Sequence, residues 1–347
     1  MARHVTIFDV AERAGVALSS ASTALNGRPG VSEATRERVR TAARELGYVP
    51  SLRGRSLSAG RAYAVAFVVQ RDSDVLESDP FFATFIAGVE SVLSLRGYAL
   101  VLQMAGTEQD VAQRYRDLAA YRRVDGVLLN ELQVDDPRIP LLTELDLPTV
   151  AVNAQASTDA APFPFPEVRQ DGVAAVRELV HHLAGLGHRR IAHVTGPPQF
   201  VHSRERLVAW RQAVRDEGLE PGPLVVGDFT YPGGEQAAAT LLALDERPTA
   251  VFCANDLSAA GFIRRAQDLG LEVPRDLSVA GFDGIALGTY TRPTLTTVVA
   301  SPRLLATHAA EMLLDLVEGK TVDDVQVPPA TVVVRGSTGP APRDPVA

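Results

Sequence analysis

Polar side chains follow three apolar runs in the second part of the chain, where they could bind a small molecule. Asn153 comes after LPTVAV, Asn255 and Asp256 come after TAVFCA, and Asp283 ends LSVAGFD. Because ligands of open α/β sheets bind outside the carboxyl ends of the strands, this recurrence favours a shared binding site. Each residue alone is also typical of a helix cap or a turn, so both interpretations stay open.

Residues that often serve in catalysis are present, but their spacing does not match a catalytic motif. The histidines His181, His182, His188, His193, His202 and His308 form no HExxH pattern. The sequence contains no P-loop, no nucleophile elbow and no GxGxxG that opens a helix after the first apolar run. A single cysteine, Cys253, excludes an intramolecular disulfide and a multi-thiolate metal site. We therefore expect a protein that is not an enzyme, with no cofactor and no bound metal.

The elements that must position these polar residues are short apolar runs that alternate with amphipathic helical segments from Tyr63 onward. The first series contains YAVAFVV, ALVLQM, DGVLL and LPTVAVN, and the second contains RRIAHVTG, PLVVGD, PTAVFCAN and LSVAGFD. Nearly continuous hydrophobic strands separated by helices predict parallel sheets covered on both faces. Two series predict two doubly wound α/β lobes, and the Pro-rich run PFPFP between them is interpreted as the crossing.

Length and composition agree with several folded units. The chain has 347 residues, of which 46% are hydrophobic and 22% are charged, and a prior of about 150 residues per domain favours two or three units. The N-terminus has no apolar run of signal-peptide length, and no stretch reaches the ~20 apolar residues that a membrane span needs. We expect a soluble, cytoplasmic protein.

Charge is distributed unevenly along the chain. Residues 1–61 contain ten arginines and five acidic residues, a net charge of +5, so the remainder carries −13 of the total of −8. A small basic segment on a large acidic body suggests that only the N-terminal segment meets a polyanion. A solvated charged surface would give the same balance.

Three short helices are predicted in this basic segment. Thr6 can cap a helix that ends at Gly15, a second helix lies within ALSSASTALNG, and Ser32 can cap a third that ends near Leu46. Two short helices around a glycine turn, supported by a third, predict a helix-turn-helix whose second helix enters the major groove. A helical bundle or a dimerisation cap is the alternative, but small hydroxyl residues on the outer face of the second helix favour close approach to phosphates.

The segments VTIFDVAERAGV, STALNGRPGVSEATRERV and ELGYVPSLRGRSL resemble the N-terminal DNA-binding domain of the LacI/GalR family of bacterial transcription regulators. The resemblance covers residues 5–57 without a gap. It continues through nearly all of residues 62–336, which are similar to periplasmic sugar-binding proteins. The implied fold is an all-α helix-turn-helix head followed by an α/β body with two lobes of the periplasmic-binding-protein type.

The resemblance implies DNA-contacting positions in the head. Base-reading positions are Leu18, Ser19 and Thr23, and phosphate-facing positions are Thr6, Ala17, Ser20, Ser22 and Asn26. Ala17 stands where the family usually has a serine, and Thr23 stands where many members have an arginine. Without a bidentate guanidinium at position 23, a guanine contact from that position is not expected, whereas Leu18 and Thr23 suit thymine methyl groups.

Residues 50–58, PSLRGRSLS, resemble the hinge helix of the family, which becomes ordered on DNA and inserts a leucine into the minor groove. Leu57 is that leucine, and Arg55 is assigned to the same DNA-contacting set. An apolar wedge between base steps unstacks them and kinks the duplex. A flexible linker is the alternative, and Gly54 weakens any helix here by ~1 kcal/mol relative to alanine.

The resemblance also implies effector-binding positions in the body. The positions that match family segments are Arg206 in SRERLVAW, Asn255 in ANDLSA, Asp283 in GFDG, Phe81 and Phe82 in DPFF, Phe229 in GDF and Asp171 in VRQDG. Asn153 is added to this set because it follows a predicted strand. Gly172 and Gly284 replace an asparagine and an aspartate that are common in the family. The detailed hydrogen bonds to an effector are therefore not predicted.

Aromatic rings beside carboxylate, amide and guanidinium groups suit a neutral polyol, since C–H faces stack and planar groups bridge neighbouring hydroxyls. The expected function is a sequence-specific transcription regulator, a repressor, whose operator affinity is changed by a sugar bound between the lobes. A purine or nucleoside effector is the alternative, and a sugar-binding protein or enzyme on the same body is a further one. Two lobe arrangements whose populations shift on binding would carry the response.

The expected domains are a head at 1–49, a hinge at 50–61, a body at 62–336 and a disordered tail at 337–347. Within the body, lobe 1 covers 62–160 and 299–327, and lobe 2 covers 161–298 and 328–336. A homodimer reading a pseudo-palindromic operator is expected, with helix 81–96 and the segment 303–318 as dimer faces or as ordinary core. The tail has no heptads, so no tetramerising coiled coil is expected.

Overall fold

The computed structural model describes residues 5–49, 60–71, 75–154 and 163–342. The chain divides into two compact units, Met1–Tyr63 and Ala64–Ala347. Within the described ranges, no helix is both long enough and apolar enough to cross a membrane.

Three helices form the first unit: α1 (Ile7–Ala14), α2 (Leu18–Leu25) and α3 (Glu33–Leu46). The carboxylate of Asp9 accepts hydrogen bonds from both the backbone N–H and the hydroxyl of Thr6, each at 2.7 Å, and so closes the start of α1. Gly15 ends α1 with a φ of 65°, a left-handed conformation that glycine adopts without a Cβ penalty. Val10, Ala21 and Val39 from the three helices meet in a small apolar core.

The first lobe of the second unit is built on a parallel sheet of six strands in the order β11-β5-β4-β3-β1-β2. The strands are β1 (Ala64–Val69), β2 (Ala99–Met104), β3 (Gly126–Leu129), β4 (Thr149–Val152), β5 (Glu167–Gln170) and β11 (Val325–Val327). The helices that accompany it along the chain are α4 (Val75–Ser78), α5 (Pro80–Arg96), α6 (Glu108–Ala120), α7 (Arg138–Glu144) and α13 (Pro302–Val317).

The second lobe is built on another six-stranded sheet, in the order β12-β10-β9-β8-β6-β7, in which only β12 is antiparallel to its neighbour. The strands are β6 (Ile191–Thr195), β7 (Leu224–Val226), β8 (Ala250–Cys253), β9 (Ser278–Asp283), β10 (Thr296–Val299) and β12 (Thr331–Val333). The helices are α8 (Val173–Gly185), α9 (Val201–Asp216), α10 (Tyr231–Leu242), α11 (Asp256–Asp268) and α12 (Leu287–Tyr290). Buried side chains on both faces of the sheet form two cores, as the continuous apolar runs predicted.

The crossings between the lobes differ from the expected boundaries. Strand β5 pairs with β4 and β11 in the first sheet, so placing the crossing in the Pro-rich run near residue 160 was wrong. The chain passes into lobe 2 after Gln170, returns at residues 300–301 between β10 and α13, and passes again at 328–330 between β11 and β12. The short strand EVRQ has one polar face and directly follows the Pro-rich run, so its apolar pattern was too weak to predict a strand there.

The predicted disorder from residue 337 was also wrong as far as residue 342. Ser337 is fully buried, its hydroxyl donates to the carbonyl of Val279 at 2.6 Å, and it accepts from the N–H of Thr296 at 2.8 Å. The N–H of Ala341 donates to the carbonyl of Leu186 at 2.9 Å. Hydrogen bonds to the edge of the second lobe thus order a segment whose composition is typical of a loop. Residues 343–347 lie outside the described ranges.

The two segments proposed as dimer faces pack against each other in lobe 1. A Cβ on Gly88 of α5 would lie 2.6 Å from the carbonyl oxygen of Arg303 in α13, so only glycine allows this approach. Phe85 and Leu313 of these helices are fully buried and belong to the core, whereas Leu304 is 36% and Leu95 86% exposed. A dimer face on the outer surface of the two helices stays a prediction.

Candidate functional site

Helix α2 presents one face to the core of the first unit and the opposite face to solvent. Ala21 and Ala24 are buried, whereas Leu18 is 39% exposed. Of the positions expected to contact DNA, Thr6, Ala17, Leu18, Ser19 and Asn26 are exposed, and Ser20, Ser22 and Thr23 are partly buried. Arg55 and Leu57 lie outside the described residues. The periodicity of the sequence thus correctly separated the two faces of α2.

Some polar groups on this face already have local partners. The side-chain amide of Asn26 donates to the carbonyl of Ser22 at 2.9 Å and to its hydroxyl at 3.3 Å. The hydroxyl of Thr6 donates to Asp9. The Ser22 hydroxyl, which accepts from Asn26, can still donate to a phosphate oxygen, whereas the Thr6 hydroxyl must leave Asp9 to do so. The Asn26 amide has two N–H groups, so it can donate to a phosphate and keep its bond to the Ser22 carbonyl.

A cleft between the two lobes of the second unit contains two adjoining cavities of about 360 Å³ and 70 Å³. The residues that line both cavities are Phe81, Asn153, His202, Arg206 and Asp283. Asn153 directly follows β4 and Asp283 ends β9. The cleft therefore lies at the carboxyl ends of strands from both sheets, where ligands of open α/β sheets bind.

Arg206, on α9, is the central cation of the cleft. Its guanidinium carbon lies 3.7 Å from the centroid of the Phe282 ring, and its Nη1 donates to the carbonyl of Ala254 at 2.6 Å. Its Nη2 lies 3.6 Å from Oδ1 of Asp283, an ion pair longer than a hydrogen bond. Burial lowers the pKa of Arg206, and Asp283 opposes this shift. The ring and the carbonyl fix the guanidinium plane while most of its N–H groups stay available to a ligand.

Asp283 is strained and desolvated. Its φ of 106° lies in the region that side chains rarely adopt, and burial raises the pKa of its carboxyl well above the usual range despite Arg206. Three other residues of the cleft have positive φ values: Glu131 at 49°, Asn153 at 50° and Phe229 at 69°. Strained backbone at several positions around one cavity is typical of a functional site.

An aromatic wall closes one side of the cleft. The imidazole of His202 stacks with the rings of Phe200 and Phe229, at centroid distances of 5.5 and 5.3 Å and an angle of 22° to each. A Cβ on Gly196 would lie 1.9 Å from the Phe229 ring, so glycine is required beneath it. Burial lowers the pKa of His202 well below its usual value, which keeps the imidazole neutral. The wall can therefore pack against a neutral ligand.

The smaller cavity, here called the inner chamber, contains polar atoms without partners among the described residues. Nη2 of Arg71 lies 2.6 Å from Oε1 of Glu131, but Nε of Arg71, Oε2 of Glu131 and Nδ2 of Asn130 have no hydrogen-bond partner. Burial raises the pKa of Glu131, and Arg71 opposes this shift. Two buried donor atoms and one buried acceptor atom of residues that line this chamber thus have no hydrogen-bond partner among the described residues.

Phe81 and Phe82 have different environments. Phe81 lines both cavities, whereas Phe82 is 1% exposed and packs edge-on against Phe81 at a centroid distance of 5.5 Å. Consecutive residues of a helix point in directions about 100° apart, so only one ring can face the cleft. The structure therefore places Phe82 outside the cavity lining, in support of Phe81.

Asn255 caps α11, Asp171 hydrogen-bonds to the first residue of α8, and both residues line the cleft. Oδ1 of Asn255 accepts from the N–H of Ser258 at 3.0 Å and its Nδ2 donates to the carbonyl of Phe229 at 2.7 Å; Oδ1 of Asp171 accepts from the N–H of Val173 at 2.8 Å. Asn255 and Phe229 line the inner chamber and Asp171 lines the larger cavity. For Asn255, the two interpretations left open by the sequence, helix cap and cleft residue, are compatible in the structure.

Several polar residues of the cleft were not predicted from the sequence. Those in the linings are Arg71, Asp79, Asn130, Glu131, Arg169, Gln170, His202, Glu205 and Gln326. His202 and Glu205 precede Arg206 by four residues and one residue, and the former spacing places both on one helix face. Asn130 follows β3 directly and Arg71 follows β1 by two residues, so the strand-end rule that selected Asn153 would also have selected them.

A second contact joins the lobes away from the three crossings. The N–H of Val134 donates to the carbonyl of Gln199 at 2.8 Å, and the N–H of Val201 donates to the carbonyl of Leu132 at 2.9 Å. The guanidinium of Arg71, in lobe 1, lies 4.3 Å from the ring centroid of Phe200 in lobe 2. The cleft is thus bounded by crossings on one side and by this antiparallel bridge on the other.

The chain is similar to known bacterial regulators in both sequence and structure. Residues 6–51 match the model of bacterial regulatory proteins of the lacI family, and residues 180–338 match a periplasmic binding protein-like domain. The HTH-type transcriptional regulator CelR of Thermobifida fusca is 35% identical over 94% of this chain and 95% of its own length. A solved structure of a transcriptional regulator CelR–cellobiose complex is 33% identical with a TM-score of 0.73, covering 96% of this chain and 99% of the other. A lac repressor dimer bound to operator and the anti-inducer ONPF is 28% identical with a TM-score of 0.84, covering 97% and 100%.

Proposed function

Since the chain belongs to the lacI family of bacterial regulatory proteins, we propose that it represses transcription by binding an operator and that a sugar bound between its lobes changes the operator affinity. The observation that carries the proposal is the cleft in which Arg206 and Asp283 lie beside Phe81 and the aromatic wall. Such a regulator acts on the chromosome, so the proposal places it in the cytoplasm.

A sugar suits the groups in the cleft. Carboxylate, carboxamide and guanidinium groups can pair with neighbouring hydroxyls, and aromatic faces pack against the C–H faces of a pyranose ring. Of the three unpartnered atoms of the inner chamber, Nε of Arg71 and Nδ2 of Asn130 need acceptors and Oε2 of Glu131 needs a donor. A sugar hydroxyl can both donate and accept a hydrogen bond, so a sugar can satisfy all three. A related regulator with this fold is known in complex with cellobiose. Purines and nucleosides, which can also stack on the wall, form the second arm of the experiment below.

On the DNA side, the exposed face of α2 is proposed to read base edges through Leu18, Ser19 and Thr23. One head buries too little surface for high specificity, and a related repressor binds its operator as a dimer. We therefore propose a homodimer on a pseudo-palindromic operator, with the hinge residues Arg55 and Leu57 at its centre.

The proposed mechanism is a shift between two arrangements of the lobes. An effector changes the populations only as far as it binds one arrangement more tightly than the other. Arg71, Asn130 and Glu131 come from lobe 1, while Arg206, Phe229 and Asp283 come from lobe 2, and all six line the inner chamber. A ligand that contacts both sets is bound best at one angle between the lobes.

The experiment uses the full-length protein and a random duplex library. Selected duplexes are titrated by fluorescence anisotropy alone and with cellobiose, glucose, adenosine or guanine. We expect one preferred sequence, binding that weakens steeply with salt, and a change in affinity of roughly tenfold or more with a saccharide. If no duplex sequence is preferred, the proposal of a sequence-specific regulator is contradicted. If operator affinity responds only to adenosine or guanine, the proposal of a sugar effector is contradicted, but that of a regulator is not.

A further inference from the structure

Gln170 lies at the end of β5, where the chain first leaves lobe 1. Its side chain makes two hydrogen bonds to the other two crossings. Oε1 accepts from the N–H of Ser301 at 2.8 Å, and Nε2 donates to the carbonyl of Pro328 at 2.8 Å. One carboxamide therefore joins all three segments that connect the lobes.

Further hydrogen bonds reinforce the same place. The N–H of Gln170 donates to Oδ1 of Asn153 at 2.9 Å, and the N–H of Ala330 donates to the carbonyl of Asp171 at 2.8 Å. The N–H of Ala300 donates to the carbonyl of Asp283 at 3.2 Å. The crossings are thus connected to two of the residues at the junction of the cavities.

The crossings also form a wall of the larger cavity. Gln170, Asp171, Ala300 and Ala330 all line it. A ligand in this cavity lies against the segments that must bend if the lobes rotate. Rotation changes the separations between the crossings, and a planar carboxamide that donates to one crossing and accepts from another restricts the range of those separations.

We propose that Gln170 is the positioning residue of the hinge. Its carboxamide sets the angle between the lobes and limits their motion to the range in which both hydrogen bonds survive. This part of the proposal rests on the proposed function. Restricted crossings couple effector binding in the cleft to the angle between the lobes, and through that angle to the operator affinity. With unrestricted crossings, the lobes could close on a ligand without a defined change in that angle.

The test measures the lobes directly and requires no ligand. Spin labels are attached at Arg114→Cys on α6 and Val208→Cys on α9, both exposed, in full-length protein diluted with unlabelled protein. Cys253 is fully buried and burial raises the pKa of its thiol, so it does not take up label. Double electron–electron resonance then gives the distribution of distances between the lobes.

We expect Gln170→Met, which fills similar space without either hydrogen bond, to widen the distribution roughly twofold or to split it. Gln170→Glu keeps the acceptor for Ser301 and loses the donor to Pro328, so an intermediate width is expected. Gln212→Met is the matched control, since it removes one hydrogen bond to Asp216 on the surface of α9. A merely structural role would lower the melting temperature without changing the width.

The proposal would be overturned if the distance distributions of both Gln170 variants were as narrow as that of the unsubstituted protein. If Gln170→Met does not fold, the width measured for Gln170→Glu alone provides the test. In the anisotropy assay, Gln170→Met is expected to reduce the factor by which a saccharide changes operator affinity, while Gln212→Met leaves it unchanged. Failure of operator binding in the unsubstituted protein would count against the proposed function and leave the distance result intact.

Discussion

The guanidinium of Arg206 lies 3.7 Å above the ring of Phe282, the residue that precedes Asp283. The ring occupies one face of the cation, and the ion pair with Asp283 is long at 3.6 Å. The Phe282 ring and the Ala254 carbonyl therefore hold the guanidinium in place without a closely paired carboxylate. A ligand with paired hydroxyls can supply the missing hydrogen bonds at little cost in reorganisation.

Arg206→Ala is expected to weaken saccharide binding by roughly tenfold or more, since hydrogen bonds to a charged group contribute about 1.5–3 kcal/mol. Operator affinity without effector should stay within about twofold, because Arg206 lines the cleft and is not among the positions proposed to contact DNA. Isothermal titration calorimetry and anisotropy measure the two quantities. Arg204→Ala, an exposed arginine on the same helix, is the control. Equal loss of saccharide affinity in both variants would contradict the role of Arg206.

Glu131→Gln is expected to weaken binding of the same saccharide by roughly tenfold, because a neutral amide replaces the unpartnered Oε2 and weakens the ion pair with Arg71. The measurement is again calorimetry on the full-length protein. Glu108→Gln makes the same change at an exposed position and should leave the affinity unchanged. Unaltered affinity in Glu131→Gln would show that ligands do not reach the inner chamber.

Leu18→Ser is expected to reduce affinity for the selected operator by about 1–3 kcal/mol and to leave binding to a random duplex unchanged, since base contacts specify and phosphate contacts do not. Leu18 is 39% exposed, so little stability should be lost. Leu244→Ser, at a leucine that is 38% exposed in lobe 2, is the matched control. A parallel loss on specific and random duplexes would argue against base reading by Leu18.

Glu167 gives a stability that depends on pH. It is 4% exposed, and burial raises its pKa from the ordinary 4.5 to about 7. The native state thus binds a proton between these values that the unfolded chain has lost. The contribution of the neutral carboxyl to stability is complete below pH 4.5 and is lost as the pH rises through 7.

Glu167→Gln should therefore raise the free energy of unfolding by about 1–2 kcal/mol near pH 8 and by much less near pH 5. Urea denaturation at the two pH values measures the difference. Glu108→Gln controls for the loss of one negative charge. A gain of equal size at both pH values would show that Glu167 titrates normally in the folded protein.

Periodicity and strand-end position predicted much of the fold and part of the cleft. The two lobes, the exposed face of α2 and the places of Asn153, Asn255 and Asp283 follow from residue order along single elements. The position of Arg71 after β1 was a signal that the sequence offered, but its ion pair with Glu131 could not be predicted, because it joins residues 60 positions apart that follow neighbouring strands. Phe82 was misplaced because the resemblance assigned both rings of DPFF to the cleft, although the helical spacing of Phe82, Phe85 and Val89 indicates the buried face of α5.

Where sequence reasoning failed, contacts between distant segments decide the structure. The polar strand β5 is held by its neighbours β4 and β11 rather than by apolar periodicity. Ser337 is ordered by hydrogen bonds to Val279 and Thr296. Neither partner can be inferred from local composition, which for both segments is typical of loops.

As proposed, the protein binds a specific operator sequence, and its affinity for that operator changes when a sugar binds in the cleft. The most direct measurement is an operator titration of the full-length protein with and without a saccharide that calorimetry shows to bind, repeated with Arg206→Ala. The account predicts that the saccharide shifts the operator dissociation constant of the unsubstituted protein by roughly tenfold or more and does not shift that of the variant. A saccharide that occupies the cleft and leaves the operator dissociation constant unchanged would contradict it.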